Sequence, residues 1–214
     1  MSRRSLTIGC IVLVVALSGC LGTLASADAG ATTVPSSAYE REGYVAGNAT
    51  SVPLRVPVGV AGVGGEVSVT NHVAGYSRTT GENETAAFLV VTSPNARVAG
   101  ISANPLRAVT DPGVVRTGLE LASRARTLGN VENVTDLREL STRDVELLGA
   151  TAPLTTYAGV VDTEAGSVDV RVHVVAVEHG DDVVLALSVH PATMDERGAV
   201  ERMLAAAEYR AVGG

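Results

Sequence analysis

The chain has 214 residues, with 16 basic and 23 acidic side chains and a formal net charge of −7. That length allows one domain of ordinary size plus flanking segments. The negative balance, with arginine the only basic residue and no lysine, argues against a nucleic-acid partner, which calls for a basic patch.

Arg3 and Arg4 precede an apolar run from Leu6 to Leu17, and Leu17-Ser18-Gly19-Cys20 closes it. The run is shorter than the roughly 20 residues a membrane-spanning helix needs. A charged start, an apolar middle and a small-residue exit make a secretory signal. Small residues leading into a cysteine read as a lipoprotein processing site, cut before Cys20, whose sulfur then carries lipid. Ser2-Arg3-Arg4-Ser5-Leu6 fits a twin-arginine export address, although a Sec signal also carries basic residues here. Cys10 leaves with the apolar run, so Cys20 alone survives of the 2 cysteines and no internal disulfide can form. The expected division is a signal peptide over 1–19, a lipidated cysteine and flexible linker over 20–38, and a single domain over 39–214. The implied partners are membrane lipid through Cys20 and the export and lipoprotein-processing machinery. The implied location is the outer side of the cell membrane.

Beyond the linker, Leu54, Val56 and Val58 alternate around Pro53 and Pro57, which suggests an edge strand. Gly62 to Gly65 is a turn. Glu66 to Thr70 and Val73 to Arg78 read as strand with a bend near Gly75. Ala86 to Thr92 is continuously apolar apart from its last residue, as in a strand buried on both faces. Arg97 to Ser102 is a further short strand. A helix is predicted over Pro112 to Leu128, with Asp111 as N-cap and Gly129 as terminator. Its stripe is Val114, Gly118, Leu121, Ala125 and Leu128, with Glu120 and Arg124 on the opposite face.

Period two then returns. Val131 to Leu140 and Asp144 to Leu148 are predicted strands. Thr155 to Thr163, Ser167 to Glu178 and Val183 to His190 form a meander. Val168, Val170, Val172 and Val174 share one face of the middle strand, while Asp169, Arg171 and His173 share the other. A last helix is expected to open with a capping box from Thr193 to Glu196. Its buried stripe is Val200, Met203, Leu204 and Ala207.

These elements predict an α+β domain: a mainly antiparallel sheet with two main helices packed on it. The element order resembles the PsbP/Mog1-like architecture. Val91-Thr92-Ser93-Pro94, Asn104-Pro105-Leu106, Val145 to Gly149, Ser167 to His173, Gly180-Asp181-Asp182 and His190-Pro191 occur in order. With the Cys20 site, they resemble a haloarchaeal family of exported lipoproteins of unknown function, over roughly residues 34–210. The resemblance carries no catalytic residues. Acidic charge without lysine fits the same salt-loving source, since acidic surfaces stay soluble by mutual repulsion. A GC-rich genome would favour the same residues.

Candidate chemistry is sparse. No Gly-x-Ser-x-Gly elbow is present, and no catalytic residue is assigned. His173, His179 and His190 lie on or beside one meander, but the spacings of a zinc site are missing, so no metal and no cofactor is expected. The acidic pairs Asp181-Asp182 and Asp195-Glu196 lack a calcium-loop pattern and suit a turn and a helix start. Asn48, Asn83 and Asn133 each begin an N-glycosylation triplet. The leading expectation is a non-enzymatic, membrane-tethered accessory or binding domain with an unknown protein or small-molecule partner. The alternatives are a hydrolase or metal-dependent enzyme using His173 with Asp169 or His190, and a solute-binding component of a transporter.

Overall fold

Alternation at period two governs most of the chain, and the strands it forms are long. The computed structural model describes residues 23–60, 63–80, 84–95, 97–98, 101–102, 104, 106, 112–125, 134–163 and 166–212. In order these are β1 (Thr23–Asp28), β2 (Ala31–Thr33), α1 (Ser36–Tyr39), β3 (Val45–Ala46), β4 (Thr50–Val60), β5 (Val63–Thr80) and β6 (Glu84–Pro94). Then follow β7 (Arg97–Val98), β8 (Ile101–Ser102), α2 (Pro112–Ala125), β9 (Val134–Leu147), β10 (Ala150–Thr163), β11 (Gly166–His179), β12 (Asp182–Pro191), α3 (Arg197–Ala205) and β13 (Glu208–Arg210).

One nine-stranded sheet runs β1-β5-β6-β12-β11-β10-β9, with β3 and β4 also paired to β5. Strands β1 and β4 both pair with residues 66–70 of β5 and so occupy its two opposite edges. His72 and Val73 are likewise shared between β4 and β6, which places β1 on the β6 side. The β1–β5 pairing is parallel and the others are antiparallel, so the sheet is mixed. Small two-stranded pieces join β13 to β2 and β7 to β8.

Both faces of the sheet are covered, and this sets the core. On one face Leu89, Val172, Val174, Leu185 and Leu187 pack with Val115, Leu119, Leu121 and Ala122 of α2. On the other, Phe88, Val90, Val175, Val177, Val184 and Ala186 pack with Val200, Met203 and Leu204 of α3, and with Val34 and Tyr44. Full burial of each large apolar side chain contributes about 1.5–3 kcal/mol. Helix α2 packs tightly on β12 at Gly118, where an added Cβ would lie 2.9 Å from Leu185.

The fold class predicted from sequence is corrected. The protein is mostly β, a large mixed sheet with three small helices among the described residues. It is not an α+β domain built on two main helices over an antiparallel sheet, because strand predominates and one pairing, β1 with β5, is parallel. The two longer helices also lie on opposite faces of the sheet. Segments left between the predicted strands are strand too: Ser141 to Arg143 lies inside β9, and Ala150 to Leu154 opens β10. Edge position explains the first, because a strand hydrogen-bonded on one side tolerates polar residues on an exposed face.

The expected linker over 20–38 is also corrected from Thr23 onward. β1 pairs with β5, β2 pairs with β13, and Thr32 and Val34 are buried. Backbone pairing, rather than apolar periodicity, orders this stretch, and pairing partners distant in sequence leave no local signal. The capping box does not form. Glu196 occupies the N-cap position of α3 without a side-chain capping bond, and Thr193 instead donates to Glu84.

The sheet edges formed by β4 and β9 are interrupted. β4 carries Pro53 and Pro57, which lack an N–H to offer a further strand. In β9 the register skips Leu140 and again Asp136 and Leu137, and Asp136 sits at φ 53. Such bulges twist an edge away from further pairing.

Candidate functional site

The site grows out of one polar row across the buried sheet. His173 of β11 faces Thr156 of β10 on one side and Ser188 of β12 on the other, and Thr156 faces Ser141 of β9. Two residues along, Arg171 pairs with His190. Alternation puts all of these on the α3 face, where apolar side chains otherwise prevail.

Within this row the two imidazoles meet. Nε2 of His173 lies 3.1 Å from Nε2 of His190, and the rings are 5.2 Å apart at their centroids. Their protons are assigned by exclusion. Nδ1 of His190 lies 2.9 Å from the Pro191 carbonyl oxygen, which can only accept, so Nδ1 carries the proton. His190 Nε2 in the neutral ring is then an acceptor, and His173 Nε2–H donates to it. His173 Nδ1 is left to accept from the Thr156 hydroxyl, 2.9 Å away. The chain Thr156 to His173 to His190 to Pro191 thus runs in one direction, with both rings neutral.

Burial and cations hold the rings in that state. Burial, then His190 and the guanidinium groups of Arg143, Arg197 and Arg171, push the His173 pKa down to about 3. Burial also lowers His190, with Arg171 acting in the same direction, while the Pro191 carbonyl and Asp195 oppose it.

Above the pair lies a cavity of about 310 Å³, between the sheet and the connection from β12 to α3. Thr156, Arg171, His173 and His190 line it from the sheet, Thr193 and Asp195 from the connection, and Arg197 from the start of α3. That connection is firmly anchored. Ala192 N–H donates to the Asp169 carbonyl at 2.8 Å, and Met194 N–H to the Pro191 carbonyl at 3.0 Å. Glu196, fully buried, pairs with Arg78 and accepts from the Tyr44 hydroxyl at 2.8 Å. Burial raises the Tyr44 pKa to about 12, so its hydroxyl stays a donor.

The structure brings together some of the predicted residues and separates others. His173 and His190 converge, whereas His179 packs on the Tyr209 ring at 4.6 Å. Asp169 is exposed and does not line the cavity. Asp182 accepts from the Gly30 N–H at 2.7 Å and the Tyr209 hydroxyl at 2.8 Å, tying both ends of the domain to β12. Asn48 is exposed on the β3–β4 connection. Arg3, Arg4, Cys20, Asn83 and Asn133 lie outside the described residues. Thr156 and Arg197 were not singled out from sequence. The Thr156 partnership follows from strand register, and Arg197 reaches the cavity only because α3 packs on that face. Among the described residues no three His, Cys, Asp or Glu side chains gather as a metal-ligand set. No described helix is long and apolar enough to cross a membrane.

A long mixed sheet with a helix on each face and a polar cavity beside one of them defines a small β-rich domain. The chain belongs to a family defined by a domain of unknown function, DUF6517, which matches residues 31–208. No curated protein sequence matches it. Among solved structures it is similar to LpqN, described as involved in cell envelope biogenesis of Mycobacterium tuberculosis. That similarity has a TM-score of 0.34 and 11% identity, covering 83% of this chain and 97% of that one.

Proposed function

We propose that the protein is an extracytoplasmic lipoprotein, anchored through Cys20, whose domain is a binding module using the cavity above His173 and His190. The anchoring rests on the Arg3-Arg4 start, the apolar run and the Leu17-Ser18-Gly19-Cys20 exit. The acidic, lysine-free composition supports a salt-loving source for it. The binding reading rests on one observation: a lined, partly enclosed polar cavity of about 310 Å³ over a fixed hydrogen-bond chain.

The same chain superficially has the order of nucleophile, base and orienting group, with Thr156, His173 and His190 in those places. Its electrostatics oppose catalysis. A general base works best with a pKa near the working pH, and burial and arginines push His173 to about 3. His190 is neutral and cannot stabilise an imidazolium as a carboxylate would. Binding is therefore the better-supported use of the site. Membrane fractionation of wild type and Cys20→Ser tests the anchoring. Wild type should be processed and membrane-bound, and the variant released or unprocessed; identical processing and retention would overturn it.

A further inference from the structure

We infer that the cavity is an oxyanion site, built to hold a phosphate group carried by a small organic molecule; this rests on the binding reading above. The arginines packed around α3 are paired: Arg78 with Glu196, Arg143 with Glu201 at 2.6 Å, and Arg202 with Glu42 at 2.7 Å. Arg171 and Arg197 differ. Both line the cavity, Arg171 from the sheet and Arg197 from the first position of α3, and neither has a carboxylate within ion-pair distance among the described residues. In a chain with 23 acidic and 16 basic side chains, two unneutralised guanidinium groups in one cavity form a local reversal of charge. Guanidinium groups suit phosphate because their planar forks donate in pairs to its oxygens.

The other lining groups fit the same ligand. Glu196 also lines the cavity, but Arg78 neutralises it. Asp195 is exposed, and it is the lining carboxylate with no arginine partner among the described residues. It suits a hydroxyl or amine on the ligand, away from the anion. Thr156 gives its proton to His173 and so offers lone pairs to a ligand hydroxyl, while Thr193 and Ser141 add hydroxyls at the wall. The cavity exceeds a bare phosphate, and Leu140 and Met194 supply an apolar wall for the remainder. The neutral histidine pair forms a fixed floor that does not repel the guanidinium groups above it.

The phosphate can come from a free phosphomonoester or from a lipid headgroup, and the test separates them. The full-length protein in detergent is titrated calorimetrically with glycerol 3-phosphate, with glycerol and a methyl glucoside as neutral probes. Binding to phosphatidylglycerol and phosphatidylcholine vesicles is measured in parallel. Arg171→Gln and Arg197→Gln should each weaken phosphate binding by about tenfold or more, with melting little changed because neither arginine has a carboxylate partner among the described residues. Glycerol 3-phosphate binding lost in both variants supports the site with a soluble ligand. Vesicle binding that needs phosphatidylglycerol and is lost in both variants supports it with a lipid headgroup. Phosphate binding that survives both substitutions, or binding of a neutral probe alone, overturns the oxyanion assignment and leaves the binding module standing. Failure of every probe overturns both.

Discussion

Nε2 of His173 donates to Nε2 of His190 across 3.1 Å, and the Pro191 carbonyl at the far end sets that direction. A proton added to His190 would set N–H against N–H, because its one acceptor nitrogen already takes the His173 bond, and a proton added to His173 would turn the Thr156 hydroxyl from donor to acceptor.

Stability should therefore depend on pH through these rings. Both pKa values are depressed in the folded protein, that of His173 to about 3. In the unfolded chain both titrate near 6.5. Below that value the unfolded state binds more protons, so the stabilisation is complete above about pH 6.5 and is lost as pH falls toward 3. The slope approaches about 1.4 kcal/mol per pH unit for each neutral histidine. Denaturant melts at pH 7 and pH 5 should show a larger loss for wild type than for His173→Asn. Equal losses would mean that the pair is not held neutral.

The buried Glu196 makes an asymmetric prediction. Its side chain is 0% exposed and that of Arg78 is 26% exposed. Arg78→Met leaves the carboxylate stranded in the core, where an uncompensated buried charge costs about 3–5 kcal/mol. Glu196→Gln leaves a guanidinium that still reaches water and keeps a polar group for Tyr44, so it should cost clearly less. Melting of the two variants ranks them, and the reverse order would contradict this account of the pair.

Leu121 and Leu204 test the two-faced core. Each is buried, in different clusters on opposite faces of the sheet. Leu→Ala at either should cost about 2–5 kcal/mol, and the double variant should be additive within about 0.5 kcal/mol. The exposed positions Glu120→Ala and Arg124→Ala should cost under about 0.5 kcal/mol each. Strong non-additivity of the leucines would place both helices on one shared core.

Export is tested at Arg3 and Arg4. Replacing both with lysine should block secretion through the twin-arginine route, which reads the arginine pair as an address. Normal export of that variant, followed by cell fractionation, would assign the signal to the Sec route.

Local pattern carried several of these elements. Pro53 and Pro57 marked β4 as an edge strand because a missing N–H has the same consequence in any fold. The run from Ala86 to Val91 marked a strand buried on both faces, and the stripe through Leu121 and Leu204 marked the buried sides of two helices. The placing of Arg171 and His173 on one strand face needed only a period of two. Which elements would meet was not local. β1 and β2 are ordered by backbone pairing to residues far along the chain, and hydrogen bonds between peptide groups leave no trace in side-chain sequence. The faces taken by α2 and α3, the meeting of His173 with His190 and the arrival of Arg197 above them were decided by strand register and by packing. A shift of one residue in that register would turn His173 to the opposite face of the sheet. The sequence by itself therefore determined which faces of the strands and helices are apolar, while the cavity and its charge exist only once the strands are aligned and α3 is packed on them.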